Sequence, residues 1–113
     1  MFKNLFLFIA GGLASIMILA GLPAFSLAKV SIFACEPEWK ALAKEIGKDK
    51  VEASSATTAF QNPHYIRAKP SLIAKMRNAD LVFCSGADLE VGWLPVLLRK
   101  SGSENVQPGN KGH

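Results

Sequence analysis

Three short apolar runs rich in β-forming residues, separated by stretches of helical periodicity, constrain this chain more tightly than its composition does. The first, KVSIFAC (residues 29–35), is apolar on both alternating faces, which suits a strand covered on both sides. Glu36 and Pro37 then open a helix in which Trp39, Leu42, Ala43 and Ile46 fall on one stripe, and Gly47 ends it. The second run, Lys50 to Ser55, sets Val51, Ala53 and Ser55 on alternate positions. A long loop leads from it to a helix that starts at Lys69-Pro70-Ser71 and ends near Asn78, with Leu72, Ile73 and Met76 apolar. The third run, ADLVFCSG (residues 79–86), reads as a buried strand closed by a turn. Asp88 is expected to cap a third helix that stacks Leu89, Trp93 and Leu97 and is kinked near Val91 and Gly92 by Pro95. A fourth strand is expected to start at Asn105 to Gln107.

This alternation predicts an α/β fold, a parallel sheet with flanking helices. In open sheets of that kind, ligands meet the loops beyond the carboxyl ends of the strands. Cys35, the loop around His64 and the Cys84-Ser85-Gly86 turn all fall on that rim, so the candidate chemistry is gathered on one edge.

Residues 1–28 stand apart from the rest. Lys3 precedes an almost wholly apolar run from Leu5 to Ala20, Gly21 and Pro23 interrupt it, and Ser26 and Ala28 place small residues before a cut at Lys29. That is the pattern of a secretory signal peptide, with an uncleaved membrane anchor as the alternative. Lipidation of Cys35 fits poorly, because Phe33 is too large for such a processing site and the cut would destroy the first strand. Of the 13 Lys and Arg only Lys3 precedes residue 29, so the remainder carries +3 against its 9 Asp and Glu. The charge is weak and scattered, without an arginine stripe, and implies no nucleic-acid partner. The ending NVQPGNKGH has turn residues and no closing element, which reads as a partial domain.

His64 lies in NPHYIRAKPS, stiffened by Pro63 and Pro70, which hold the residues before them extended. An imidazole so held suits Zn²⁺: one nitrogen binds the ion while the other donates to a neighbouring acceptor. A half-packed histidine supporting the turn is the alternative. Cys35 and Cys84 end the first and third strands, which are neighbours at about 4.8 Å if the strand order is 2-1-3. Three readings stay open for them: a disulfide, two small buried hydrophobes, or thiolate metal ligands beside His64. Asp88 and Glu90 read as helix-capping residues, with Glu90 also able to orient a ligand loop; Trp39 and Trp93 read as packing residues. Tyr65 and Arg67 extend from the histidine loop with chemistry suited to a partner. Catalysis finds no support in a nucleophile elbow or phosphate loop, and Ser71 with Lys75 is a helix face.

The segment QNPHYIRAKPSLIAKMRNADLVFCSGADLEVGWLPVLL resembles the substrate-binding proteins of zinc and manganese ABC uptake transporters. The likeness rests on NPHYIRAKPS, where the family has Asp-Pro-His and a following Pro-Ser, on ADLVF, and on GADLEVGWL. KVSIFACEPEW and EIGKDKVEASSATT are similar to its first βα unit, so the resemblance covers residues 29–109. It implies the N-terminal lobe of a two-lobed, chelatase-like metal receptor in the periplasm, monomeric when full length, with a membrane permease as partner and Zn²⁺, or alternatively Mn²⁺, as cargo. It places the first metal-binding histidine at His64 and the remaining ligands beyond this chain; His113 lies outside the motif of the second histidine. Asn62 replaces the usual aspartate, which leaves a hydrogen-bond acceptor and removes a charge. The cysteine pair is not part of the general family pattern. Two rival functions are an exported thiol or metalloenzyme using Cys35, Cys84 and His64, and a structural or adhesion protein built on the same lobe.

Overall fold

The computed structural model describes residues 27–113. The expected signal peptide at residues 1–28, and the anchor that is its alternative, lie outside the described residues apart from Leu27 and Ala28. No helix among the described residues is long and apolar enough to cross a membrane.

Strands β1 (Val30–Ala34), β2 (Val51–Ser55) and β3 (Leu81–Phe83) form one parallel sheet in the order β2-β1-β3. Ile32 stands opposite Ala53 on one side and Leu81 on the other; Ala34 stands opposite Ser55 and Phe83. The doubly apolar pattern of the first run therefore belongs to the central strand. Phe33 and the adjoining Cys35 face a core shared with Leu72, Met76, Trp93 and Leu97, while Ile32 faces a smaller cluster with Ala43 and Ala53. Helix α1 (Pro37–Gly47) covers the second face; α2 (Pro70–Arg77) and α3 (Leu94–Ser101) pack on each other over the first.

Each helix opens with proline in its first turn, where the missing N–H has no intrahelical partner to lose and φ is already helical. Lys44, Lys75 with Arg77, and Arg99 with Lys100 occupy the three last turns, where cations complement the exposed carbonyls. Gly102 ends α3 at φ 63°, a left-handed conformation that costs glycine nothing.

Three expectations need correction. The third helix does not begin at Asp88. Residues 87–93 form turns and α3 starts at Leu94, so Pro95 lies in its first turn and kinks nothing. Ala87 and Asp88 have φ of 51° and 66°, values incompatible with a right-handed helix, and Leu89 lies in the turn before α3. The segment 105–107 is a turn, not a strand. Val106 is fully buried in the larger core, while Gly112 reaches the outer edge of β3 and accepts the Val82 N–H at 2.7 Å. The apolar stripe of α1 is also only partly used: Ala43 is buried, whereas Leu42 and Ile46 are 41% and 74% exposed. The sheet beneath α1 is three strands wide and meets it through Trp39 and Ala43, so the Leu42 and Ile46 positions of the stripe overhang.

Candidate metal centre

The three strands deliver three segments to one rim. Cys35 and Glu36 follow β1, the His64 loop follows β2, and residues 84–93 follow β3. The loop after β2 is tied at its root, where the backbone N–H and hydroxyl of Thr57 both donate to the Cys35 carbonyl, at 3.1 and 3.0 Å. Thr58 N–H donates to Gln61 Oε1 at 3.0 Å, turning the chain toward Asn62.

His64 sits in a 3₁₀ turn, Pro63–Tyr65, with its side chain exposed. Asn62 Oδ1 lies 3.0 Å from the His64 backbone N and 3.0 Å from ring Nδ1. Because the backbone N–H can only donate, the Asn62 atom facing it is the oxygen, and Nδ1 must then carry the ring proton. The Nε2 lone pair is left pointing away from the turn and open to an electrophile. On the other side, the buried Trp93 donates its indole N–H to the Pro63 carbonyl at 2.7 Å. Gly92 passes beside the His64 carbonyl, where an added Cβ would meet the oxygen at 3.6 Å.

Cys35 and Cys84 are joined as a disulfide with their Cα atoms 4.8 Å apart, within the range such bonds require. Neither thiol is free, so the thiolate-ligand reading has no thiolate to use. Their sulfurs lie with a Glu90 oxygen inside 4.8 Å, but sulfur already bonded to sulfur is not an anionic donor.

Below the disulfide lies a group that sequence reasoning missed. Glu36 and Glu90 are both buried, at 4% and 3% exposure. Glu90 accepts the backbone N–H groups of Ser85 at 2.9 Å and Gly86 at 3.1 Å. Glu36 Oε2 accepts the Ser85 hydroxyl at 3.1 Å, and that hydroxyl in turn accepts the Trp39 indole N–H at 2.6 Å. Glu36 Oε1 is buried with no hydrogen-bond partner, and the Glu90 carboxyl lies beside the Glu36 carboxyl. Burial first, and then the Glu90 carboxyl beside it, raise the Glu36 pKa to about 7. The available signal was positional: a glutamate placed directly between a buried strand and a helix-opening proline has its Cα at the sheet edge, where its side chain can turn inward.

Of the other candidates, the structure sets Asn62 against His64 and places Glu90 in the turn after β3, linked to the loop through Trp93. Asp88 is exposed and caps no helix. Tyr65 and Arg67 are exposed beside His64, and Trp39 packs on Phe83 with ring centroids 5.0 Å apart. His113 lies against the Val106 carbonyl through Nδ1 at 3.0 Å.

This arrangement, a parallel sheet with one histidine-bearing loop on its carboxyl rim, has the fold of periplasmic metal-binding proteins. A periplasmic metal binding protein from Candidatus Liberibacter asiaticus superposes with TM-score 0.60 at 20% identity, over 70% of this chain and 29% of that one. Zn(II)-bound AdcA from Streptococcus pneumoniae gives TM-score 0.57 at 21% identity, over 71% and 17%. The chain belongs to the zinc-uptake complex component A, periplasmic, family, whose profile matches residues 32–111. The manganese ABC transporter substrate-binding lipoprotein PsaA of Streptococcus pneumoniae is 33% identical over 63 residues, 53% of this chain and 20% of that protein. The chain thus spans 17% to 29% of the length of these relatives.

Proposed function

We propose that this chain forms the metal-capturing N-terminal lobe of an extracytoplasmic solute-binding protein that delivers a transition-metal ion to the membrane permease of an ABC transporter. Zn²⁺ is the preferred cargo and Mn²⁺ the alternative. The observation that carries this reading is the fixed tautomer of His64: Asn62 holds Nδ1–H and leaves Nε2 free on the rim. A neutral imidazole presented this way suits Zn²⁺, and it would bind Mn²⁺ well only if carboxylates completed the set.

A tetrahedral site needs about four donors, and His64 belongs to no cluster of three His, Cys, Asp or Glu ligands among the described residues. Its partners come from outside these residues, from a second lobe that closes over the rim. The chain performs no chemistry on its cargo; capture, closure and release are its role, in the periplasm, reached by the signal peptide at residues 1–28. The rival exported thiol enzyme needs a free thiolate, and both cysteines are committed to the disulfide.

The test is a Zn²⁺ titration of the chain followed by long-range ¹H–¹⁵N spectra of its two imidazoles. Nε2 of His64 is expected to shift first, with its Nδ1–H retained, while His113 follows weakly. A first response at His113, or none at His64, refutes the assignment. In the two-lobed protein, His64→Ala is expected to lower Zn²⁺ affinity at least about tenfold, the size usual for lost metal-site support or more.

A further inference from the structure

We propose that Glu36 and Glu90 share a single proton and act as a positioning pair that couples the protonation of the rim to the placement of the His64 loop.

The geometry distinguishes the two acids. Glu90 is the better seat for negative charge, because two backbone N–H groups point at it. Glu36 takes the Ser85 hydroxyl on Oε2 and shares the Ser85 backbone N–H with Glu90, while its Oε1 is buried with no hydrogen-bond donor. A buried carboxylate oxygen without a donor is costly, and two adjacent buried carboxylates repel. One proton on Glu36 Oε1, donated to Glu90, removes both penalties. The groups that face the pair offer no counter-charge: Trp39 comes from α1, the Ser85 hydroxyl from the turn after β3, and the Cys35–Cys84 disulfide from the strand ends. No Lys, Arg or His contributes to the raised Glu36 pKa, and the only ion pair among the described residues is Lys50 with Asp49.

The link to the loop is short. The Glu90 carbonyl accepts the N–H groups of Trp93 and Leu94 at 3.1 and 2.9 Å. Trp93 in turn holds the Pro63 carbonyl, one residue before His64. When the shared proton leaves, repulsion displaces Glu90 or Glu36. Movement of Glu90 shifts the turn that aims Trp93, while movement of Glu36 releases the Ser85 hydroxyl to which Trp39 donates. The protonated pair is therefore the state in which the rim is set as described. The consequence for metal capture rests on His64 being a ligand; the shared proton and its coupling to the loop do not.

The two tryptophans report the two halves separately. The indole ¹H–¹⁵N signals of Trp39 and Trp93 are followed in the 113-residue chain from about pH 5 to about pH 9, a range that brackets the titration of a carboxyl raised toward neutrality. Both signals are expected to move with one midpoint, and Glu36→Gln, which keeps a donor toward Glu90, is expected to flatten both. A Trp39 signal that does not titrate overturns the shared proton. A Trp93 signal that stays fixed while Trp39 moves overturns the coupling. Infrared difference spectra of the parent chain give the first answer without a substitution: a carboxylic C=O band present at neutral pH and lost at alkaline pH supports the shared proton, and its absence at neutral pH overturns it. The Zn²⁺ titration of His64 is read independently. If the indoles move together and His64 ignores zinc, the functional reading fails and the pair stands.

Discussion

Opening the Cys35–Cys84 bond is the perturbation whose size follows most directly from the structure. The bond joins residues 49 apart in sequence. In the chain-entropy treatment, a loop of that length constrains the unfolded chain by about 4 kcal/mol at 25 °C. A domain of this size is stable by roughly 0.05–0.15 kcal/mol per residue, so the bond supplies a third or more of the total. Each kcal/mol moves the melting temperature of such a domain by about 4–8 °C, which puts the expected fall at about 16–30 °C. Thermal melts by circular dichroism, with and without a phosphine reductant, measure it. The double variant Cys35→Ala/Cys84→Ala, which cannot form the bond, is expected to melt near the reduced parent. A fall of only a few degrees, corresponding to less than about 1 kcal/mol, would refute the argument and show that contacts other than the bond already hold the ends of β1 and β3 together.

Four further outcomes are expected. Raising the pH should destabilise the parent relative to Glu36→Gln. The Glu36 pKa is about 7 in the fold against an ordinary 4.5, so its contribution is complete below the ordinary value, declines as pH rises between the two, and is gone above about 7. The full span is about 3 kcal/mol, of which about 2.5 kcal/mol falls between about pH 5 and about pH 8 and is read as the difference between urea denaturation curves of the two proteins at those pH values. Trp93→Phe keeps most of the packing but loses the bond to Pro63, and should cost about 1–2 kcal/mol with faster amide exchange across residues 58–68. Asn62→Ala should leave stability within about 0.5 kcal/mol, since the turn is exposed, yet weaken the Zn²⁺ response of His64 about tenfold by freeing the tautomer. Gly47→Ala should destabilise by about 1–3 kcal/mol in denaturant melts, against the gain that helix propensity alone predicts, because the new methyl would overlap the Val51 side chain.

Much of the fold was legible because it depends on local pattern. The central strand announced itself by being apolar on both faces, and the prolines at positions 37 and 70 marked two helix starts correctly. Pro95 carried the same signal, but Asp88 looked like a cap and drew the expected start five residues too early. The decisive fact there is backbone hand: a left-handed Ala87 has no sequence signature, whereas Asp88 is at least a residue type that tolerates it. The strand expected at 105–107 failed because Val106 is apolar for a reason of packing, filling the core from a turn. The His64 loop could be read from its prolines, and the Asn62 contact from its spacing of two. The Glu36–Glu90 pair could not, because the carboxyl groups are 54 positions apart in sequence and meet only once β3 has been laid beside β1.

The strand order also dictates when this chain can become a protein at all. β1 leaves the synthetic machinery first, yet it occupies the middle of the sheet, and both of its neighbours are made later. Until Phe83 has emerged it has at least one bare edge, so any polypeptide ending short of that point carries an apolar ribbon with nowhere to hide. The sheet therefore closes only after β3 has been made, and Phe83 is the residue whose synthesis completes the last free edge of β1.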